Sequence, residues 1–309
     1  MVDARWEAVA ALAGRQSGLV TREQGLAAGY GENAWFRLVN SRTVTQIHRG
    51  LYQVRSPEDE QQPRDVYSAL LLCGDKAVIS HRTAARLHRF WGVDGFPLEL
   101  TLPGRVVAVP PQVVAHRGEV PTGDTCLVRG LRLTTPARTL LDLAPKLDPV
   151  HLAIMLEAAR RRDRTLVSTL RERLPGSVLS SNLQRTFHGL LADCDRRPRP
   201  MDSPFELQFW HRWPFTGLPS PTPQFEVRDK RGRMYVDFAW PEQKVAVETM
   251  GYGTRKTDES FNEDARRAGR LIELGWQVVQ ITYAMFCEDF FSGVRRSIAR
   301  ALTSRGGGR

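Results

Sequence analysis

Apolar residues recur at helical spacing from the start of the chain, where Trp6, Val9, Ala10 and Ala13 mark one helix. Thr21-Arg22-Glu23-Gln24 has the form of a capping box and opens a second short helix ending near Gly29. A third is expected from about Glu32 to Asn40, with Ala34, Phe36, Leu38 and Val39 as its apolar residues. The period then shortens to two, and Thr43–Val54 ("TVTQIHRGLYQV") predicts two short strands hinged near His48-Arg49-Gly50. Farther on, helices are expected at Pro63–Leu72, after Ser80, from Thr134 with Pro136 at its first position, and from Asp148-Pro149 to Arg160-Arg161-Arg162. Strands are expected around Leu98–Leu102, Val113–His116 and Thr125–Leu133. The stretch Cys194–Ser203 ("CDRRPRPMDS") carries charge and proline without apolar periodicity, the pattern of an exposed connection. Beyond it the pattern reads helix, three strands, helix (Asp258 onward), strand (Gln277–Tyr283) and a last helix around Cys287–Leu302.

The expected organisation is therefore multidomain α+β. Residues 1–55 follow the winged helix-turn-helix plan, 56–195 form a mixed α/β middle domain, and 203–309 form a further α/β domain. In a winged helix the third helix enters the major groove of DNA and the wing meets its backbone. That assigns Asn33, Arg37, Asn40 and Arg42 to the DNA-facing side and Arg49 to the wing. A helical module binding protein is the alternative for the same pattern. His81, His88, His116 and His151 lack metal-ligand spacing, and no chemistry is assigned to them.

Charge sharpens the choice of partner. The net charge is +10 and the isoelectric point near 9.9, which favours a polyanion such as nucleic acid. The excess sits in residues 101–200, with 16 basic against 9 acidic side chains. Cys73, Cys126, Cys194 and Cys287 are scattered, which fits a reducing compartment better than a disulfide framework. No charged-then-apolar leader opens Met1–Ala13 and no long apolar run follows, so a cytoplasmic protein with no membrane partner is expected.

Candidate chemistry lies in Val236–Tyr252 ("VDFAWPEQKVAVETMGY"), where each of two strands carries one acid in an apolar run. Carboxylates on half-buried strands are costly without a partner or a metal. If the strands pair through a two- or four-residue loop, Asp237 and Glu248 lie on one face, and a four-residue loop sets them directly across from each other. A hard divalent ion, Mg2+ or Mn2+, would relieve their repulsion and could activate water against a phosphodiester. Structural partners remain open too: Ser203 for Glu206 as a capping box, Arg233 or Lys244 for Asp237, and Arg267 or Arg270 for Asp264.

The segment from Ser203 to about Phe286 resembles the Vsr-like (very short patch repair) branch of the PD-(D/E)XK endonuclease superfamily, in its stand-alone DUF-type form. Ser203-Pro204-Phe205-Glu206, Gly217-Leu218-Pro219, Val236–Glu242, Val247-Glu248, Gly251-Tyr252, Asp264 with Arg266 and Arg267, and Leu274–Val278 carry the likeness. It implies a restriction-endonuclease-like fold with Glu206, Asp237 and Glu248 as catalytic acids and Asp237 and Glu248 as metal ligands. Arg266 and Arg267 would lie toward DNA. Where these relatives carry an aspartate two residues and a histidine seven residues after the strand glutamate, this chain has Met250 and Arg255, and no histidine follows His211. The wider superfamily places a lysine at the first of those positions; Lys244 or Lys256 could supply the cation from elsewhere.

Gly18–Tyr30, Ile47–Val54, Val78–His88 and Leu133–Ala144 resemble the AbiEi-type antitoxin and transcriptional-regulator family, a likeness covering roughly Arg15 to Ala158. It implies binding to double-stranded DNA and a possible toxin protein as partner. The joint expectation is an AbiEi-type regulator carrying a divergent, inactive Vsr-like domain; the alternative is an active Mg2+-dependent DNA endonuclease.

Overall fold

The computed structural model describes residues 3–54, 64–74, 76–93, 97–104, 109, 112–197, 199–250 and 258–306; the side chains of 258–262, 264, 305 and 306 lie outside that description. The chain divides into two compact units, Met1–Lys146 and Leu147–Arg309, and each mixes helices with sheet.

The first unit opens with α1 (Ala4–Arg15), β1 (Leu19–Thr21), α2 (Arg22–Ala27), α3 (Glu32–Asn40), β2 (Val44–His48) and β3 (Leu51–Val54). These strands form one sheet in the order β1-β3-β2. The hairpin thus gains a third strand that the sequence pattern did not indicate, because three residues are too few to show a period of two. The capping box at Thr21 forms as expected, with Gln24 N donating to Thr21 Oγ1 and Thr21 N to the Gln24 side chain. Trp35 anchors the core with Val9, Val20, Val44 and Tyr52. Its indole lies over Gly25, where a Cβ would come within 2.3 Å of the ring, so only glycine lets α2 and α3 close up. Phe36, expected on the apolar face, is instead 62% exposed, because its neighbour Trp35 takes the inward position.

The unit continues with α4 (Arg64–Cys73), β4 (Val78–Ile79), α5 (His81–Leu87), β5 (Leu98–Leu102), β6 (Val113–Arg117), β7 (Thr125–Val128), β8 (Leu131–Thr134) and α6 (Pro136–Leu143). The sheet order is β6-β5-β4-β8-β7. What looked like one strand at Thr125–Leu133 is a hairpin turning at Arg129-Gly130. Both residues have positive φ (52° and 77°), the geometry a two-residue turn needs.

The second unit comprises α7 (Pro149–Arg160), α8 (Leu166–Arg173), α9 (Ser181–Arg196), α10 (Pro204–Arg212), β9 (Thr222–Asp229), β10 (Gly232–Trp240), β11 (Val245–Met250), α11 (Asp258–Glu273), β12 (Gln277–Thr282), α12 (Tyr283–Asp289) and α13 (Arg295–Gly306). Its sheet runs β12-β11-β10-β9, antiparallel throughout except for β11 and β12, which are parallel and joined through α11. Phe209 of α10 packs on Phe238 at 4.6 Å between ring centroids, and Trp213 on Trp240 at 5.2 Å, which fixes α10 against the sheet.

Cys194–Ser203 is not the exposed connection expected. Arg197 and Met201 are buried, and the chain's division falls between Lys146 and Leu147. The reason is Glu157, 1% exposed, whose Oε1 accepts from Arg160 Nη2 (2.9 Å), Arg197 Nη1 (2.9 Å) and the Met201 amide (2.6 Å). Arg160, at the end of α7, also donates to the carbonyls of Arg197 and Arg199 at 2.9 and 3.1 Å. A buried carboxylate has drawn a polar, proline-rich segment into the interior. Among the described residues no helix is long and apolar enough to cross a membrane.

Candidate carboxylate site

Asp237 and Glu248 are brought together by strand register. β10 and β11 pair as Trp240–Val245, Ala239–Ala246 and Phe238–Val247 across a four-residue connection, and one further step sets Asp237 level with Glu248. The ladder's recorded pairs stop at Phe238–Val247. The Thr249 amide instead donates to Asp237 Oδ2 at 2.7 Å, and Thr249 Oγ1 donates to the same oxygen at 2.7 Å. A backbone N–H in this half-buried position needs an acceptor, and the carboxylate supplies one. Neither Arg233 nor Lys244, the partners the sequence offered, is bonded to Asp237; Lys244 Nζ donates to the Leu274 carbonyl at 3.1 Å.

Glu206 reaches the same place from α10. Ser203 Oγ caps the helix by accepting from the Glu206 amide at 3.1 Å, but the glutamate does not complete the capping box. Its Oε2 accepts from the Asp202 amide (2.8 Å) and from Gln224 Nε2 (2.7 Å). Gln224 stands beside Asp237 on β9 with φ of 50°, a departure from extended geometry that no sequence signal announced.

The three acids act on one another. Burial and the Asp237 charge push both Glu206 and Glu248 well above the usual carboxylate range. Burial raises Asp237 as well, against the pull of its Thr249 bonds and of Arg267. Arg267, on α11, is the cation closest to hand: Nη2 donates to Glu248 Oε1 at 3.1 Å and also to the Tyr235 carbonyl. Arg266 is exposed on the same helix. Met250 is half-buried at the end of β11. Arg255, Lys256, Gly251 and Tyr252 lie outside the described residues, as does the Asp264 side chain.

Hard oxygen donors in a poorly hydrated setting suit a cation of the Mg2+ or Mn2+ kind. Among the described residues no three His, Cys, Asp or Glu side chains form a metal-holding group. Magnesium commonly binds through one or two carboxylates with water filling the remaining positions, and Asp237 and Glu248 fit that mode.

The helix-face residues singled out in the first unit are on the surface. Asn33, Arg37 and Asn40 of α3 are exposed, as are Arg42 after it and Arg49 at the hairpin tip. The histidines show a feature the spacing hid: the rings of His81 and His116 stack 3.6 Å apart between centroids. His116 Nε2 lies 3.1 Å from Glu99 Oε1, Lys146 Nζ donates to the same oxygen at 3.4 Å, and His81 Nδ1 bonds Ser80 Oγ at 2.9 Å. Thirty-five residues separate the two histidines, so only the sheet could reveal the pair.

No family model matches the chain. It is 26% identical over 248 residues to two Mycobacterium tuberculosis proteins, the uncharacterized proteins MT2308 (strain CDC 1551 / Oshkosh) and Rv2248 (strain ATCC 25618 / H37Rv). Each match covers 77% of this chain and 85% of the relative. Among solved structures, the crystal structure of the RV2827C protein from Mycobacterium tuberculosis aligns with a TM-score of 0.40 and 15% identity, over 62% of this chain and 78% of that one.

Proposed function

We propose that the protein binds double-stranded DNA and that its second unit retains a divalent-metal phosphodiesterase site of the Vsr-like, PD-(D/E)XK type. The observation that carries this reading is the convergence of Glu206, Asp237 and Glu248 from α10, β10 and β11. Carboxyl groups crowded in one poorly hydrated place cost stability unless they take up protons or serve a cation. Asp237 and Glu248 would hold Mg2+ or Mn2+, which when bound would activate a water and stabilise charge developing on the phosphate. Glu206, fixed by Gln224 and the Asp202 amide, would orient that water. The exposed α3 face (Asn33, Arg37, Asn40), Arg42 and Arg49 would act as a winged helix on duplex DNA, with Arg266 on the backbone nearer the acids.

Met250 favours a second reading, in which the acids are relics and the protein is an AbiEi-type DNA-binding regulator or antitoxin with a toxin partner. The two separate in one experiment. A labelled duplex is bound in EDTA and then given Mg2+ or Mn2+. Both readings expect binding that weakens with salt. Metal-dependent cleavage supports the first, and an intact duplex bound as before supports the second.

A further inference from the structure

Arg267 is held in a place where two partners compete for it. Its Nη2 is committed to Glu248 Oε1 and the Tyr235 carbonyl, while its Nε is buried without a hydrogen-bond partner. The side chain keeps 35% exposure and forms part of the wall of a cleft in which Arg199, Arg231, Arg233 and Arg266 outnumber the acids Asp202, Glu263 and Glu273. Arg199 lies over the Tyr235 ring at 3.7 Å, so the cleft mouth adjoins the same strand that carries Asp237. A guanidinium that uses a single nitrogen on a carboxylate is underused, since its fork suits two parallel bonds to a phosphate.

We infer that Arg267 is an internal counter-ion that occupies Glu248 until a phosphate backbone in the adjoining cleft draws it off, freeing Glu248 for the divalent cation. This rests on the metal-site reading above and adds a regulation to it. With Arg267 in place, Glu248 is compensated and the cation meets a positive competitor. With Arg267 on a phosphate, two buried carboxylates face each other with no cation between them, and the demand for a divalent ion rises. Phosphate and metal binding then favour each other, and linkage makes the effect reciprocal. Such a protein would keep its acids unloaded away from DNA.

The test is the Mn2+ affinity of the full-length protein, followed by the electron paramagnetic resonance of free Mn2+. Asp237→Ala provides the baseline for ions bound elsewhere. Arg267→Gln keeps a donor for the Tyr235 carbonyl and removes the charge, and it is expected to bind Mn2+ roughly tenfold tighter, the scale of one charge-assisted hydrogen bond. Arg267→Lys, which keeps the charge, should stay near the wild type and guards against misfolding as the cause. Unchanged or weaker binding in Arg267→Gln overturns the inference alone. Absence of any Asp237-dependent Mn2+ binding in all variants overturns the metal-site reading and the inference with it. From the other side, Ca2+ should strengthen wild-type binding to a short duplex several-fold and do so far less in Arg267→Gln; an equal gain in both also overturns the inference.

Discussion

Asp237 shows how one side chain can carry a structural and a chemical duty together. Its Oδ2 satisfies the Thr249 amide and hydroxyl, which holds β11 in place, while the carboxyl stays within electrostatic reach of Glu206 and Glu248. That Asp237 and Glu248 share a face was legible from strand parity, and the four-residue connection then sets them level. Gln224 and Thr249 were not legible: Gln224 takes a φ of 50° within β9, and Thr249 bonds Asp237 across the sheet. A second buried set gives a test by pH. Burial and the neighbouring His116 hold His81 down to about 3 from its ordinary 6.5. Burial alone would raise Glu99, but His116, the Arg82 amide and Lys146 outweigh it and bring the carboxyl to about 2 from 4.5. Both groups bind more protons unfolded than folded, so each contributes stability that is lost as pH falls, from 6.5 towards about 3 for His81 and from 4.5 towards about 2 for Glu99. Thermal melting of the full chain should therefore weaken steadily on acidification. His81→Asn, which tolerates the positive φ of that position and takes up no proton, should flatten the upper part of the decline; an unchanged slope would count against this assignment.

At the scale of elements, helical and strand periods located most pieces, and the errors came where a tertiary partner overrode local pattern. Trp35 displaced Phe36 from the interior because Gly25 leaves room for an indole and for nothing else. Glu157 turned a segment with every mark of a linker into part of the core. No periodicity signals a single buried carboxylate on a neighbouring helix. Its weight can be measured: Glu157→Ala leaves Arg160, Arg197 and the Met201 amide without their shared acceptor, and the loss should be about 3–5 kcal/mol. Denaturant unfolding of the full chain gives the value, and a change below about 1 kcal/mol, typical of exposed pairs, would mean the network is not load-sharing as drawn.

For the molecule as a whole, part of the arginine in residues 101–200 is spent internally: Arg160 and Arg197 serve Glu157, and Arg138 serves Asp124 and Asp142. The positive charge open to a polyanion is the exposed set, which includes Arg37, Arg42 and Arg49 in the first unit and Arg162, Arg164, Arg185, Arg199, Arg233 and Arg266 in the second. The account expects Arg37→Ala with Arg49→Ala to weaken duplex binding and reduce its salt dependence, with cleavage chemistry at Asp237 left intact. An unchanged salt slope would move DNA contact away from α3 and the hairpin. The most direct test of the central claim is the conversion of supercoiled plasmid by purified protein with Mg2+ or Mn2+, beside Asp237→Ala and Glu248→Ala. Nicking by the wild type that both substitutions abolish, with plasmid binding retained, is the expected result. Plasmid bound but left supercoiled with either metal would contradict it.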